Sequence, residues 1–120
     1  MAKHSEDFLR LANDAKQRIT EVAPTEARKR IAEGALLLDV RDKDEFEAGH
    51  IDGAVNISRG TLEMRIAEVA PDKQAPIVCH CGGGNRGALA ADTLQRMGYT
   101  RVVSIEGGLN AYQATTKTDD

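Results

Sequence analysis

The chain has 120 residues, of which 41% are hydrophobic and 29% are charged, and its net charge is −3. This length suits one compact domain that needs no disulfide or metal to hold its core. The mild acidic excess argues against a dedicated nucleic-acid binder. The N-terminal sequence lacks a basic stretch followed by an apolar run, and no apolar run approaches the ~20 residues of a membrane span. We therefore expect a cytoplasmic protein without a membrane partner.

Helices and strands are predicted to alternate along the chain. Apolar residues at helical spacing indicate an amphipathic helix from Ser5, a suitable N-cap, to Arg18, and a short strand follows over Ile19–Val22. The later elements are predicted in this order: a helix over 24–33, a strand over 35–40, a helix over 42–48, a strand over 54–57, a helix over 61–70, a strand over 76–80, a helix over 86–97, a strand over 101–105 and a helix over 109–115.

The apolar segment 35–40, ALLLDV, is typical of a strand buried on both faces, as parallel strands are. The alternation of elements predicts an α/β domain whose mostly parallel sheet carries helices on both faces. We divide the chain into an N-terminal extension over 1–24, a domain over 25–114 and a disordered tail over 115–120. The N-terminal helix either docks on the domain, which we favour, or recruits a partner.

A cysteine, three glycines and an arginine lie between the segment 76–80, the expected central strand, and the next helix. Cys81 sits at the carboxyl end of that strand, where open α/β sheets bind ligands. The free N–H groups at the start of the following helix favour a thiolate over a thiol. Gly82, Gly83 and Gly84 allow the backbone to turn its amides toward an anion. Arg86 adds a fixed charge and is expected to brace the loop through its carbonyl groups.

Two segments together resemble the rhodanese family. CGGGNRGALAADTLQRMGYTRVVSIEGGLNAY, over 81–112, is similar to the active-site half of a rhodanese domain, and LLLDVRDKDEFEAGHIDGAVNI, over 36–57, is similar to the family's other signature. The resemblance implies a three-layer α/β/α fold around a five-stranded, mostly parallel sheet. It also implies that Cys81 forms a persulfide, that Gly82 to Asn85 form a cradle, and that Arg86 closes the loop. Family members transfer sulfane sulfur from donors such as thiosulfate to thiols, cyanide or other acceptors.

The sequence departs from the family pattern at three places. The loop carries no extra basic residue, which leaves the donor open between thiosulfate and a persulfide. Asp52 stands where proline is common, and Tyr112 stands where tryptophan is common.

Several residues near the motifs have both a structural and a functional interpretation. Cys79 is interpreted as a core residue, with a resolving thiol as the alternative. His50 and His80 are interpreted as structural, with general-base catalysis as the alternative. Arg59 follows the strand that ends at Ile57, so it is a candidate anion-binding residue at the pocket rim, with a solvated arginine as the alternative.

Four further charged residues receive structural interpretations. Asp39 and Arg41 are expected to form a hydrogen-bonded charge cluster, and Glu45 and Glu47 are expected on the surface of a short helix.

Three functions remain open on the sequence alone. The first is sulfur transfer at Cys81 from a small-molecule donor to a small-molecule acceptor or to a thiol protein. We expect this reaction to need no cofactor or metal, and we favour a monomer. The second is a phosphatase or arsenate reductase, although those enzymes place five residues between cysteine and arginine and this chain places four, Gly82 to Asn85. The third is a non-enzymatic sensing or interaction module.

Overall fold

A computed structural model describes residues 5–118 of the chain and the side chains of residues 5–115. Five strands and six α-helices alternate, and a short 3-10 turn at Arg59–Thr61 leads into the fourth helix. In chain order the elements are α1 (Glu6–Lys16), β1 (Glu21–Val22), α2 (Pro24–Ala32), β2 (Leu36–Asp39), α3 (Lys43–Ala48), β3 (Val55–Asn56), α4 (Leu62–Val69), β4 (Ile77–His80), α5 (Asn85–Arg96), β5 (Val102–Ile105) and α6 (Gly108–Thr118).

All five strands are parallel and lie in the order β1-β5-β4-β2-β3. The predicted α/β class and the five-stranded sheet are confirmed. β4, the expected central strand, pairs with β2 on one side and with β5 on the other. The loop that follows β4 therefore leaves from the middle of the sheet.

The two faces of the sheet carry separate apolar clusters. Leu38 and Cys79 face a cluster that includes Leu94 of α5 and Ile66 of α4. The other face has its own cluster, formed by the alternate strand residues together with α2 and α6. Helices thus cover both faces, as the uniformly buried strands predicted.

Local chemistry explains where several helices begin and end. Ser5 caps α1, because its Oγ accepts a hydrogen bond of 3.0 Å from the Phe8 N–H. Pro24 opens α2 at a position that needs no N–H donor. Gly34 and Gly98 follow α2 and α5 with φ of 106° and 101°, a backbone conformation that side chains disfavour.

Helix α1 packs on the domain, which is the docking that we favoured. Ala12 and Ala15 are fully buried, and α1 lies against α5. Arg18, just beyond α1, donates to the Asp92 carboxylate of α5 from Nε at 3.0 Å and from Nη2 at 2.8 Å. Gln95 of α5 donates to the Arg18 carbonyl at 3.0 Å.

The last helix extends further than predicted. α6 continues to Thr118, through most of the segment predicted as a disordered tail, and residues 119 and 120 lie outside the described part of the chain. The prediction relied on the polar composition of TTKTDD, but an established helix propagates through polar residues at little cost. Thr115 Oγ1 also donates to the Ala111 carbonyl at 2.9 Å.

Over residues 5–118, no helix combines the length and the apolar character needed to cross a bilayer.

Candidate active site

The loop between β4 and α5 folds back on the sulfur of Cys81. Residues 82–84 form the loop, and Asn85 is the first residue of α5. Cys81 is 1% exposed, and its Sγ accepts a hydrogen bond of 3.1 Å from the Gly84 N–H. Gly84 has a φ of 111°, a conformation that a residue with a side chain rarely adopts. The sequence therefore folds a backbone donor onto the sulfur, as the glycine run predicted.

The start of α6 holds the other side of the loop. Leu109 N–H donates to the Cys81 carbonyl at 2.8 Å, and Asn110 N–H donates to the Gly82 carbonyl at 3.1 Å. Gly108 has a φ of 62°, and a Cβ on it would lie 2.6 Å from the Cys81 carbonyl oxygen. This contact was not predicted from the sequence. The adjacent glycines at 107–108, ahead of a helix, were the available signal for a close backbone approach.

The contacts of Arg86 differ from those expected. Its Nη1 donates to Glu45 Oε1 at 2.7 Å and its Nη2 donates to Glu45 Oε2 at 3.0 Å, which is a two-pronged ion pair instead of a brace on the loop carbonyls. The guanidinium still lies beside the loop, because a Cβ on Gly82 would be 3.8 Å from Arg86 Nη2. The pair raises the pKa of Arg86.

Glu45 lies on the short helix α3 with its side chain 41% exposed, as expected, but its contact with Arg86 was not predicted. Besides pairing with Arg86, its Oε1 accepts from the Asp42 N–H at 3.0 Å in a capping box at the start of α3. The Arg86 guanidinium lowers the pKa of Glu45 to about 2. The spacing of Asp42 and Glu45 was a visible capping signal, but nothing in the sequence brought Arg86 to it. Glu47 conforms to expectation, with Lys43 Nζ 3.9 Å away on the surface.

A buried polar cluster supports the base of the loop. Asp39 is fully buried and binds Arg41, whose Nη2 lies 2.8 Å from Asp39 Oδ2 and 2.7 Å from the Gly49 carbonyl oxygen. His80 is also fully buried, with Nδ1 3.2 Å from the Cys81 carbonyl oxygen and Nε2 3.6 Å from Asp39 Oδ2. Burial lowers the pKa of His80. These contacts support the structural interpretation of all three residues, because His80 reaches the backbone of Cys81 and not its sulfur.

Cys79 and His50 have contacts of their own. Cys79 is fully buried in the core, and burial raises its pKa to about 12, so it is no ready thiolate. His50 stacks on Phe46 with ring centroids 3.7 Å apart, and its Nδ1 lies 2.8 Å from the Phe46 carbonyl oxygen.

The guanidinium of Arg59 is held away from the loop. Its Nη2 donates to Thr93 Oγ1 at 3.0 Å, and its Nη1 donates to Glu63 Oε1 at 3.2 Å. Thr93 lies two turns along α5 from the loop. A role for Arg59 in substrate binding stays a prediction.

A cavity of about 300 Å³ lies at the opposite end of the sheet, where its lining includes Lys29, Pro76 and Arg101. None of the residues that line this cavity belongs to the loop between Cys81 and Arg86.

Comparison with known proteins gives one family. The model of the rhodanese-like domain matches residues 23–115. The chain is 39% identical over 83 residues to YqhL, an uncharacterized protein of Bacillus subtilis (strain 168), covering 69% of this chain and 64% of YqhL. It therefore spans less than two thirds of that relative. It is 35% identical over 98 residues to the thiosulfate sulfurtransferase GlpE of Pseudomonas aeruginosa (strain LESB58), covering 82% of this chain and 87% of GlpE.

One solved structure resembles nearly the whole chain. RPA3614 from Rhodopseudomonas palustris CGA009, described as a protein of unknown function and possible tyrosine phosphatase, is 31% identical with a TM-score of 0.80. The match covers 97% of this chain and 96% of RPA3614, so the similarity includes helix α1.

Proposed function

We propose that this chain, which belongs to the rhodanese-like domain family, is a sulfurtransferase whose Cys81 carries sulfane sulfur as a persulfide. The observation that carries the proposal is the 3.1 Å hydrogen bond from the Gly84 N–H to Cys81 Sγ. A backbone donor aimed at sulfur stabilises the thiolate before the reaction and is placed to stabilise a persulfide anion after it. Relatives named thiosulfate sulfurtransferase add support for the reaction class.

The first half-reaction loads the cysteine. The Cys81 thiolate attacks the outer sulfur of thiosulfate or of a persulfide donor, and a new S–S bond forms on Cys81. The S–S bond of the donor breaks, and its electron pair leaves with sulfite or with the donor thiolate. The outer sulfur is then expected beside the glycine loop, whose Cys81 and Gly82 carbonyls are held by α6, so that the loop needs little reorganisation.

The second half-reaction transfers the outer sulfur from Cys81 to the acceptor. An acceptor thiolate or cyanide attacks the outer sulfur, the S–S bond to Cys81 breaks, and the electron pair returns to the Cys81 thiolate. The acceptor leaves as a persulfide or as thiocyanate. Such double displacement predicts ping-pong kinetics. No cofactor enters the cycle, and the reduced thiol it requires suits the cytoplasm.

Mass spectrometry tests this proposal. After treatment with thiosulfate or a small persulfide, we expect the peptide that contains Cys81 to gain about 32 Da, one sulfur atom. Cys81→Ser should abolish the gain and the transfer to cyanide. Cys79→Ala is the matched control, because it removes the neighbouring thiol while leaving Cys81 in place, and it should keep both. An unmodified Cys81 with every sulfane donor would refute the proposal.

Phosphatase activity is the second candidate, because RPA3614 is described as a possible tyrosine phosphatase. The loop argues against it, since four residues separate Cys81 from Arg86 and both outer nitrogens of Arg86 are bound to Glu45. Hydrolysis of an aryl phosphate by the wild type, lost in Cys81→Ser, would establish this alternative. Formation of arsenite from arsenate and a thiol reductant, measured in the same two proteins, tests arsenate reduction.

A further inference from the structure

We propose that Glu45 determines the class of sulfur donor, by selecting persulfides with at most one negative charge on the reacting sulfurs over dianions such as thiosulfate. The inference rests on the proposed sulfur transfer at Cys81. It concerns how the charge beside the loop is balanced.

The positive charge nearest the loop is neutralised within the protein. Arg86 lies beside Gly82, and both of its outer nitrogens bind the two carboxylate oxygens of Glu45, at 2.7 and 3.0 Å. A bidentate pair of this kind is the strongest form of arginine–carboxylate contact and also fixes the orientation of the guanidinium. Arg86 therefore presents to a donor a charge-paired guanidinium and not a free cation.

Arg41 and Arg59, which follow the ends of β2 and β3, are also bound to carboxylates. Arg41 is bound to the fully buried Asp39 and to the Gly49 carbonyl. Arg59 is bound to Glu63 and Thr93. The loop residues 82–85 carry no charged side chain. Of the three arginines, Arg86 is the one shown beside the loop, so a donor at Cys81 is expected to meet the loop backbone and a compensated guanidinium.

Donors differ in the charge that they bring to this surface. A thiolate that attacks thiosulfate gathers three negative charges, of which sulfite carries two away. Attack on an alkyl persulfide gathers two when the outer sulfur is ionised and one when it is protonated, and the alkyl thiolate leaves with one. Because charges a few ångströms apart interact strongly at a partly dry site, an uncompensated Arg86 would favour the dianion most. Glu45 removes that advantage.

The test compares two donors in Glu45→Gln, which keeps the size and the hydrogen-bond acceptor of the side chain but removes its charge. The donors are thiosulfate and 2-hydroxyethyl persulfide, whose only ionisable group is its sulfur, with cyanide as the acceptor. We expect the ratio of kcat/KM for thiosulfate to kcat/KM for the persulfide to rise about tenfold or more in the variant. Glu47→Gln, on the same helix but paired with the exposed Lys43, should change the ratio less than about twofold.

A ratio that stays within about twofold of the wild type in Glu45→Gln would overturn the inference. If the variant does not fold, the wild type is assayed at increasing salt concentration. Screening by salt should raise kcat/KM for thiosulfate more than kcat/KM for the persulfide. A fall in kcat/KM for thiosulfate would overturn the inference. If the wild type transfers sulfur but Glu45→Gln leaves the ratio of the two kcat/KM values unchanged, only the role of Glu45 is refuted. Wild-type protein that transfers none, from either donor, refutes the proposed function itself.

Discussion

Cys79 and Cys81 share one apolar cluster, and they differ in what their sulfurs contact. Cys81 Sγ accepts a backbone hydrogen bond, whereas the Cys79 thiol is buried in the core with its pKa raised to about 12. The proposed reaction therefore uses Cys81, whose sulfur the loop backbone contacts, and not Cys79. This contrast is why Cys79→Ala serves as the control for Cys81→Ser.

Glu45 gives a prediction for the dependence of stability on pH. Its pKa in the folded protein is about 2, below the ordinary value of 4.5, so its charged form stabilises the fold. The stability gap between the wild type and Glu45→Gln should be full above about pH 4.5 and should shrink as the pH falls toward 2. Chemical denaturation over that range measures it. A gap that stays constant with pH would contradict the assigned pair with Arg86.

At the scale of residues, the sequence predicted the place of Cys81 at a strand end and the glycine loop that folds onto it, but not the partner of Arg86. The first two are local, since a strand end, glycines and a helix start are contiguous in the chain. The pair between Arg86 and Glu45 joins two separate helices, α3 and α5. Its formation depends on how those helices pack, which no local pattern specifies.

At the scale of elements, helix α6 fixes the loop through its first turn. Gly108 makes this possible, because its left-handed backbone lets α6 begin within contact of the Cys81 and Gly82 carbonyls. The glycine-rich loop is thereby held from both sides, by α5 at its end and by α6 across it.

Gly108→Ala should distort the active-site loop. Its Cβ would lie 2.6 Å from the Cys81 carbonyl oxygen, so we expect about 2 kcal/mol or more of lost stability and a sharp fall in sulfur transfer. Gly34→Ala is the matched control, because Gly34 also has a positive φ, of 106°, but open space around it. It should cost about 1 kcal/mol and leave sulfur transfer unchanged. Denaturation curves and steady-state rates, measured together, separate the two effects. Equal losses in both variants would contradict the contact.

The order of elements was predictable because their apolar patterns and terminal residues are local signals. All the predicted helices and strands are present, with ends that differ by a few residues. The largest difference is at the end of α6, where polar residues gave no apolar periodicity from which to predict the helix.

At the scale of the whole molecule, the segment before the second helix completes the domain. Arg18 binds Asp92, whose side chain is 6% exposed, and the buried alanines of α1 lie against α5. The Arg18 guanidinium lowers the pKa of Asp92.

Asp92→Asn should weaken this docking. The change removes a charge that Arg18 and Arg96 both bind, so we expect a loss of about 1–3 kcal/mol in the free energy of unfolding. Asp14→Asn also removes a partner of Arg18, but Asp14 is exposed and one helical turn away, so this control should cost less than about 0.5 kcal/mol. Denaturant titration at neutral pH measures both. Docking through Asp92 is contradicted if the two variants lose the same stability.

The pairing of β1 with β5 has a consequence for biosynthesis. The Ser104 N–H donates to the Thr20 carbonyl, and the Glu106 N–H donates to the Val22 carbonyl. Within the sheet of the described residues, β1, the first strand of the chain, is therefore paired with β5, the last. While the ribosome is still translating the middle of the message, β1 has no neighbour to join. The nascent polypeptide must carry the apolar side of α1 uncovered until α5 has left the exit tunnel, and it must carry β1 unpaired until β5 has followed. The final assembly of this domain is therefore an event that follows translation of all five strands.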